Sequence, residues 1–591
     1  MRAARTGPLS GLTRRLRRSW RRFSASLRIQ PPASNYQQLK LWLIAFATGA
    51  ASGYVALGFV LTIRWLNATI YGGEATRLAD AVANAPVWVL FAGPMAAGLA
   101  VGVILHLFRD NAPYTVADVI EARALTQGRI DAKRGALSTL AAAISLGGGA
   151  SSGREGPVVV AGASLATLVS DRLKLSPLEA RTVLGCGVAA AVSASFNAPI
   201  AGALFALEVV LGHYAIRAFA PITIASVVGA VISRTHLSAE PAFQLPDTVF
   251  GSYAQFPAFM LLGLVSAFAA IGMMGAVFLA RDAMDEARRR ISAPLWAQPV
   301  AAGALLGVLA IGFPHVLGVG YQTVTEALAG RFGEVGVMQD SGLFFQLCVV
   351  LALTKILAVA ITIGGRFAGG VFSPALLLGA LTGAAFGAVA LELFPTIQGE
   401  QVGSISLYAL AGMGAVSGAV LGAPISTTLI VFELTGDYAT AIAVMVSTSV
   451  ATVATQQIVG RSFFYIQLAR RSIDLSGGPQ SFLLPNLKVG DTMRPFGAED
   501  SPSETQAWEL VRQGAYLSRE DGLDRALPMF REGKLTFLPV VDVPEQSGPG
   551  GACPGETERA PLHVLAGALF YADALRAFNR ALVETHAEEH T

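Results

Sequence analysis

Charge is scarce in this chain of 591 residues: only 14% are Asp, Glu, Lys or Arg, against 53% hydrophobic. Soluble domains carry about a quarter charged residues, so a water-soluble globule is excluded for most of the length. Cysteine is scarcer still, with Cys186, Cys348 and Cys553 scattered at no metal-ligand spacing. A disulfide framework and a zinc site are both excluded. His213 and His315 lack partners at ligand spacing, and no metal is expected. No nucleophile–base pattern and no phosphate loop ending in Lys-Ser or Lys-Thr occurs, so an enzyme is unsupported and no cofactor is implied.

What the chain does have is long apolar runs and a mean hydropathy of +0.54. Leu41–Leu66, Val87–Phe108, Phe256–Leu279, Leu343–Ile363 and Ala439–Ile458 each approach or exceed the roughly 20 apolar residues that span a bilayer. Leu137–Ser145 and Ile200–Leu211 are too short to span unaided, as in transporters with discontinuous helices. The 63 glycines fit close helix–helix contact. Residues 1–35 form a basic tail, with RRLRRSWRR inside it, and no apolar core or cleavage site of a signal peptide follows. Read alone, the run could be a nucleic-acid arm. Beside a first spanning segment it instead holds the N-terminus in the cytoplasm, and no nucleic acid partner is expected. A multi-pass protein of the cell membrane is the expectation.

Gly153-Arg154-Glu155-Gly156-Pro157 sets two ionisable groups among small and apolar residues. Such a pair at membrane depth is costly and by default marks an ion pathway. The glycines permit a tight turn and the proline suits a helix's first turn, so unsatisfied N–H groups converge as they do where helix starts hold anions. The alternative is a buried Arg–Glu pair that only locks two helices.

The chain also repeats itself. Gly153–Pro157 followed by VVVAGA matches Gly370-Val371-Phe372-Ser373-Pro374 followed by ALLLGA. In both, glycine lies four residues before the proline, and Gly-Ala (Gly162, Gly379) begins five after it. Further on, Gly187 and Gly412 each stand twelve residues before an Ala-Pro-Ile proline, Pro199 or Pro424, with a glutamate nine after it, Glu208 or Glu433. Duplicated membrane halves place their ligand at the repeat interface, on paired helix N-termini. Those positive ends select an anion.

These motifs resemble the CLC chloride channel and transporter family over roughly residues 39–471: GREGP at Gly153–Pro157, GGVFSP at Gly369–Pro374, and FNAPIAG at Phe196–Gly202. The resemblance implies an all-α polytopic membrane fold over 36–469, of two inverted-topology repeats, in a homodimer whose subunits each carry a pore. It makes Glu155 the gating glutamate. Backbone N–H groups of Arg154, Glu155 and Gly156, with those of Val371 and Phe372, would line sites for chloride or a related anion. A carboxylate is itself an anion, so Glu155 and chloride should compete.

Three positions depart from the family pattern. The early turn that usually supplies a serine hydroxyl is Pro113-Tyr114-Thr115, so Tyr114 stands at the serine position, either donating its phenol or only packing. The central tyrosine near the end of the membrane domain falls on Phe464, with Tyr465 one place over. The second glutamate of proton-coupled members is expected after Glu208, where Val209 stands. A valine cannot relay a proton, so a channel is expected, with a proton-coupled exchanger as the alternative. A membrane enzyme or scaffold is a remote third reading, because an anion cradle also fits phosphate. Glu208 could carry protons, but Glu433 at the equivalent position favours a shared structural role such as helix capping. Lys355 could add positive potential to the inner vestibule or neutralise a buried acid. Ser417, Ser426, Thr427 and Thr428 are expected to bond back to their own helices.

From 470 the composition turns soluble. Residues 470–486 read as a linker and 487–584 as a small α/β domain resembling CBS domains, cytoplasmic like the 585–591 tail, with a flexible insertion at Val543–Pro561. The resemblance matches Asp573 to an aspartate that holds a nucleotide ribose in some CBS domains. Phe570 replaces the usual hydroxyl residue three places earlier, so an adenine nucleotide is a lesser reading than dimer stabilisation.

Overall fold

The computed structural model describes residues 33–72, 77–106, 112–237, 255–333, 335–336, 340–393, 396–397, 400–401, 404–475, 479–496, 502–542 and 564–590. The basic tail before residue 33, the Val543–Pro561 segment and Cys553 lie outside them. Seven stretches among the described residues are helical, long and apolar enough to cross a membrane. Five carry the runs expected, in helices Ala33–Tyr71, Val87–His106, Phe256–Arg290, Ser341–Gly364 and Tyr438–Val459. The other two, Ile216–Leu237 and Phe372–Leu393, were not singled out as spans. Arg217, Pro221 and Arg234 interrupt the first, and the second opens directly from a Gly-rich turn.

Between the long helices lie short ones whose ends are written in the sequence. Ser176 and Glu179 form a capping box at the start of Pro177–Phe196, with proline at its first position. That helix stops at Asn197 in the left-handed conformation, φ 60°, and the helix Pro199–Phe205 starts two residues later. The second half repeats the device: Ile405–Leu421 stops at Gly422, φ 69°, and Pro424–Thr435 begins. Asn and Gly are the residues that tolerate this backbone. The helix from Pro199 continues as a π turn, Ala206–Leu211, which carries Glu208 and Val209.

Duplicated glycines bring the helices together. A Cβ on Gly162 would stand 2.3 Å from the carbonyl oxygen of Gly187, and one on Gly187 would stand 2.3 Å from that of Gly162. In the second half, Gly379 and Gly412 make the same reciprocal contact at 2.3 and 2.4 Å. Backbones touch directly, as small residues allow in a membrane, where lipid removes the hydrophobic drive between helices. Gly98 and Gly303 press the helices Val87–His106 and Ala297–Gly312 together in the same way. The fold is therefore mostly helical, two inverted halves packed through equivalent seams.

After residue 479 a small α/β module follows. Strand Val564–Phe570 lies centrally, antiparallel to both Arg494–Pro495 and Phe537–Asp542. Leu523, Phe530, Leu538, Val540 and Leu569 fill its core. The segment read as linker folds at its end into the helix Pro479–Asn486, because Leu484 packs against that core.

Candidate anion site

The two Gly-rich turns meet. Gly153 N donates to Gly370 O at 2.7 Å and Gly370 N to Gly153 O at 2.9 Å, a two-bond bridge between the halves. A Cβ on Gly156 would lie 3.2 Å from the Gly370 Cα, so side chains at either place would force the turns apart. Helices Glu155–Arg172 and Phe372–Leu393 then start side by side, with the unbonded N–H groups of their first turns at one place.

One cavity is lined by Glu155, Gly156, Val371, Phe372, Tyr114 and Phe464. Arg154 is not in the lining; its guanidinium turns away, donating from Nη2 to Ser195 O at 2.8 Å and standing 4.7 Å over the Tyr321 ring. Its Nε remains 3.8 Å from Glu155 Oε1, so Coulomb attraction is retained without a tight ion pair. The Phe372 ring packs edge-on to Phe196 at 5.1 Å, which joins the second turn to the FNAPIAG segment.

Glu155 is 2% exposed. Ser373 Oγ donates to it, 2.5 Å from Oε1 and 2.6 Å from Oε2, and Tyr321 Oη donates to Oε1 at 2.8 Å. A Cβ on Gly153 would lie 2.8 Å from Glu155 Oε2 and 3.0 Å from Ser373 N. The carboxylate therefore occupies the bridge between the halves, beside the start of the second helix. Sequence reasoning missed both hydroxyls. Ser373 sits inside a quoted motif, whereas Tyr321 arrives on a separate short helix, Tyr321–Leu328, with no motif of its own.

Arg281, Arg366 and Arg471 also line the cavity. Arg366, whose backbone is left-handed at φ 65°, holds Asp285 with two nitrogens at 2.8–3.0 Å. Arg471 pairs with Asp118 at 2.7 Å. Guanidinium groups lining a cavity raise the positive potential inside it.

Tyr114 lines the cavity, and its ring lies 4.5 Å beneath the Arg134 guanidinium. Phe464 faces the cavity, and Tyr465 is not among its lining residues. Lys355, read as a vestibule cation or an acid's partner, does neither: its Nζ donates to Val316 O and Gly318 O, both at 3.1 Å. Backbone carbonyls of the turn before Tyr321 satisfy it instead. Ser417, Thr427 and Thr428 bond back to their helices, but Ser426 Oγ donates to Glu208 at 2.7 Å, because the glutamate reaches that helix start first. Val209 is buried. Asp573 is taken up by Arg494 at 2.7 Å and Arg576 at 3.3 Å.

A model of the voltage gated chloride channel family matches residues 97–456. The chain is 29% identical over 436 residues to the ClcB-like protein of Ralstonia nicotianae, covering 73% of this chain and 97% of that one. It is 28% identical over 444 residues to the voltage-gated ClC-type chloride channel ClcB of Escherichia coli, covering 73% and 99%. Among solved structures, a slow cyanobacterial Cl-/H+ antiporter aligns at 20% identity and TM-score 0.62, covering 73% of this chain and 97% of that one. A CLC-type fluoride/proton antiporter aligns at 21% and 0.58, covering 73% and 98%. At those identities the likeness is one of fold.

Proposed function

The chain belongs to the voltage-gated chloride channel family, and we propose that it conducts chloride or a related anion passively through a pore gated by Glu155. Anion transport in a multi-pass membrane protein follows from the family; passive conduction and the gate are our reading. The observation that carries the gate is the Glu155 carboxylate seated between the paired turns, in reach of hydroxyl donors and beside a helix start. An anion reaching the paired helix starts needs the place the carboxylate fills, so it must displace it. Backbone N–H groups of Arg154, Glu155, Gly156, Val371 and Phe372 serve the anion, with Tyr114 and Phe464 shaping the path below. Arg281, Arg366 and Arg471 draw anions toward the cytoplasmic mouth.

The absence of a second glutamate supports a channel over an exchanger. Val209 carries no proton, and both Glu208 oxygens are engaged at the start of the Pro424 helix at 2.7–3.0 Å. The exchanger is the second reading, favoured by a fold shared with proteins described as proton antiporters. An imposed chloride gradient across proteoliposomes separates them. Passive conduction predicts no uphill proton movement; protons driven against their gradient would overturn it.

Exposed Phe268, Leu353 and Ile311 fit a lipid-facing or subunit-facing surface, and a homodimer with cytoplasmic termini is our reading of the assembly. The C-terminal module reads as a CBS-like domain that stabilises the dimer. With Asp573 held by two arginines, an adenine nucleotide has no free carboxylate there.

A further inference from the structure

We propose that Tyr321 and Ser373 are positioning residues for the gate: their two hydroxyls latch the Glu155 carboxylate in the anion's place and set the chloride concentration that displaces it. This inference rests on the reading of Glu155 as the gate. The Ser373 hydroxyl stands nearly equidistant from both carboxylate oxygens, at 2.5 and 2.6 Å, and Tyr321 reaches Oε1 at 2.8 Å. Ser373 is 1% exposed and Glu155 2%, so these bonds are largely shielded from bulk solvent.

Each donor is anchored independently of the gate. Ser373 is the second residue of its helix, fixed by the Gly153–Gly370 bridge just before it. The Tyr321 ring is covered by the Arg154 guanidinium at 4.7 Å, a cation–π contact. Lys355, buried to 1% exposure, ties down the carbonyls of Val316 and Gly318. Gly320, φ 89°, then turns the chain so that the Tyr321 helix starts against the gate. A left-handed residue of this kind is cheap only for glycine.

The geometry favours a carboxylate over a halide. A donor equidistant from two oxygens fits a planar two-oxygen group, whereas a spherical ion is held by converging N–H groups from any side. Hydrogen bonds to charged groups are the strong ones, so losing one from the gate should cost about tenfold in its occupancy.

The test measures chloride flux against chloride concentration in proteoliposomes of the full chain. Variants are S373A, Y321F and both together, each also made in an E155A background, with S373T as rescue. The latch predicts that half-activating chloride falls by about tenfold in each single variant, with maximal flux unchanged. S373T should restore the wild-type value, and neither substitution should matter once Glu155 is gone. Wild-type half-activation in Y321F and S373A, with E155A freely conducting, would overturn the latch and leave the gate standing. A shift that persists in the E155A background would assign the hydroxyls to the anion and also overturn it. Failure of E155A itself to free the flux would remove the gate and the latch together. Y321F keeps the ring and its stacking on Arg154, so it remains informative if S373A fails to fold.

Discussion

Glu208 and Glu433 cap each other's helices. Glu208 accepts N–H bonds from Ile425 at 3.0 Å and Ser426 at 2.7 Å, at the start of the helix that carries Glu433. Glu433 accepts from Ile200 at 2.9 Å and Ala201 at 2.7 Å, at the start of the helix that leads into Glu208. The exchange is the hydrogen-bonded signature of the two-fold relation between halves.

Removing either cap should therefore weaken the fold, not a proton route. E208A and E433A each leave two helix-start N–H groups without acceptors, one of them buried, at Ser426 or Ala201, where the loss costs about 1–3 kcal/mol. Thermal unfolding in detergent should show similar losses for both, while the protein that remains folded keeps its anion flux. A variant E208A of normal stability with altered proton movement would assign Glu208 to a proton path instead.

The glycine seams predict paired failures. Gly162→Ala and Gly412→Ala each drive a methyl within 2.4 Å of a backbone carbonyl on the facing helix, and backbone cannot yield cheaply. Both should lower the yield of monodisperse protein sharply. Gly272→Ala, with nothing within 4 Å of its Cβ, is the control and should behave as wild type. Equal tolerance of all three on size-exclusion chromatography would refute the close seams.

Two of the three departures from the family pattern, Tyr114 and Phe464, should separate in anion selectivity. Y114F keeps the ring beneath Arg134 and should leave the order of chloride, nitrate and bromide fluxes unchanged. Y114S removes the ring beneath Arg134 and should alter that order by releasing the guanidinium toward the cavity. F464Y puts a hydroxyl on the lining and should shift the order toward anions that accept strong hydrogen bonds. An unchanged series in both Y114S and F464Y would move selectivity elsewhere in the pore.

Much of the site was legible because the repeat constrains it twice. Gly162, Gly187, Gly379 and Gly412 were marked as equivalent positions of the repeat, though not as seams, and matching glutamates after Pro199 and Pro424 pointed to a shared capping role. Eight of the cavity's lining residues, Glu155, Gly156, Pro157, Phe196, Gly369, Gly370, Val371 and Phe372, lie in the quoted motifs. Tyr321 was not legible: it reaches Glu155 from a short helix whose sequence, YQTVTEAL, carries no glycine or charge pattern of an ion site. Lys355 was misjudged because a lone lysine in an apolar run implies a charged partner, and backbone carbonyls leave no trace in sequence. Ser426 was assigned to its own helix for the same reason, since a partner 218 positions away cannot be seen from local pattern.

The most direct measurement is chloride flux through the E155A variant in proteoliposomes, compared with wild type across chloride concentration. If Glu155 is the anion's competitor, the variant conducts at least as well as wild type and no longer needs chloride to displace a gate. A folded, dimeric E155A protein that passes no anion would contradict the account.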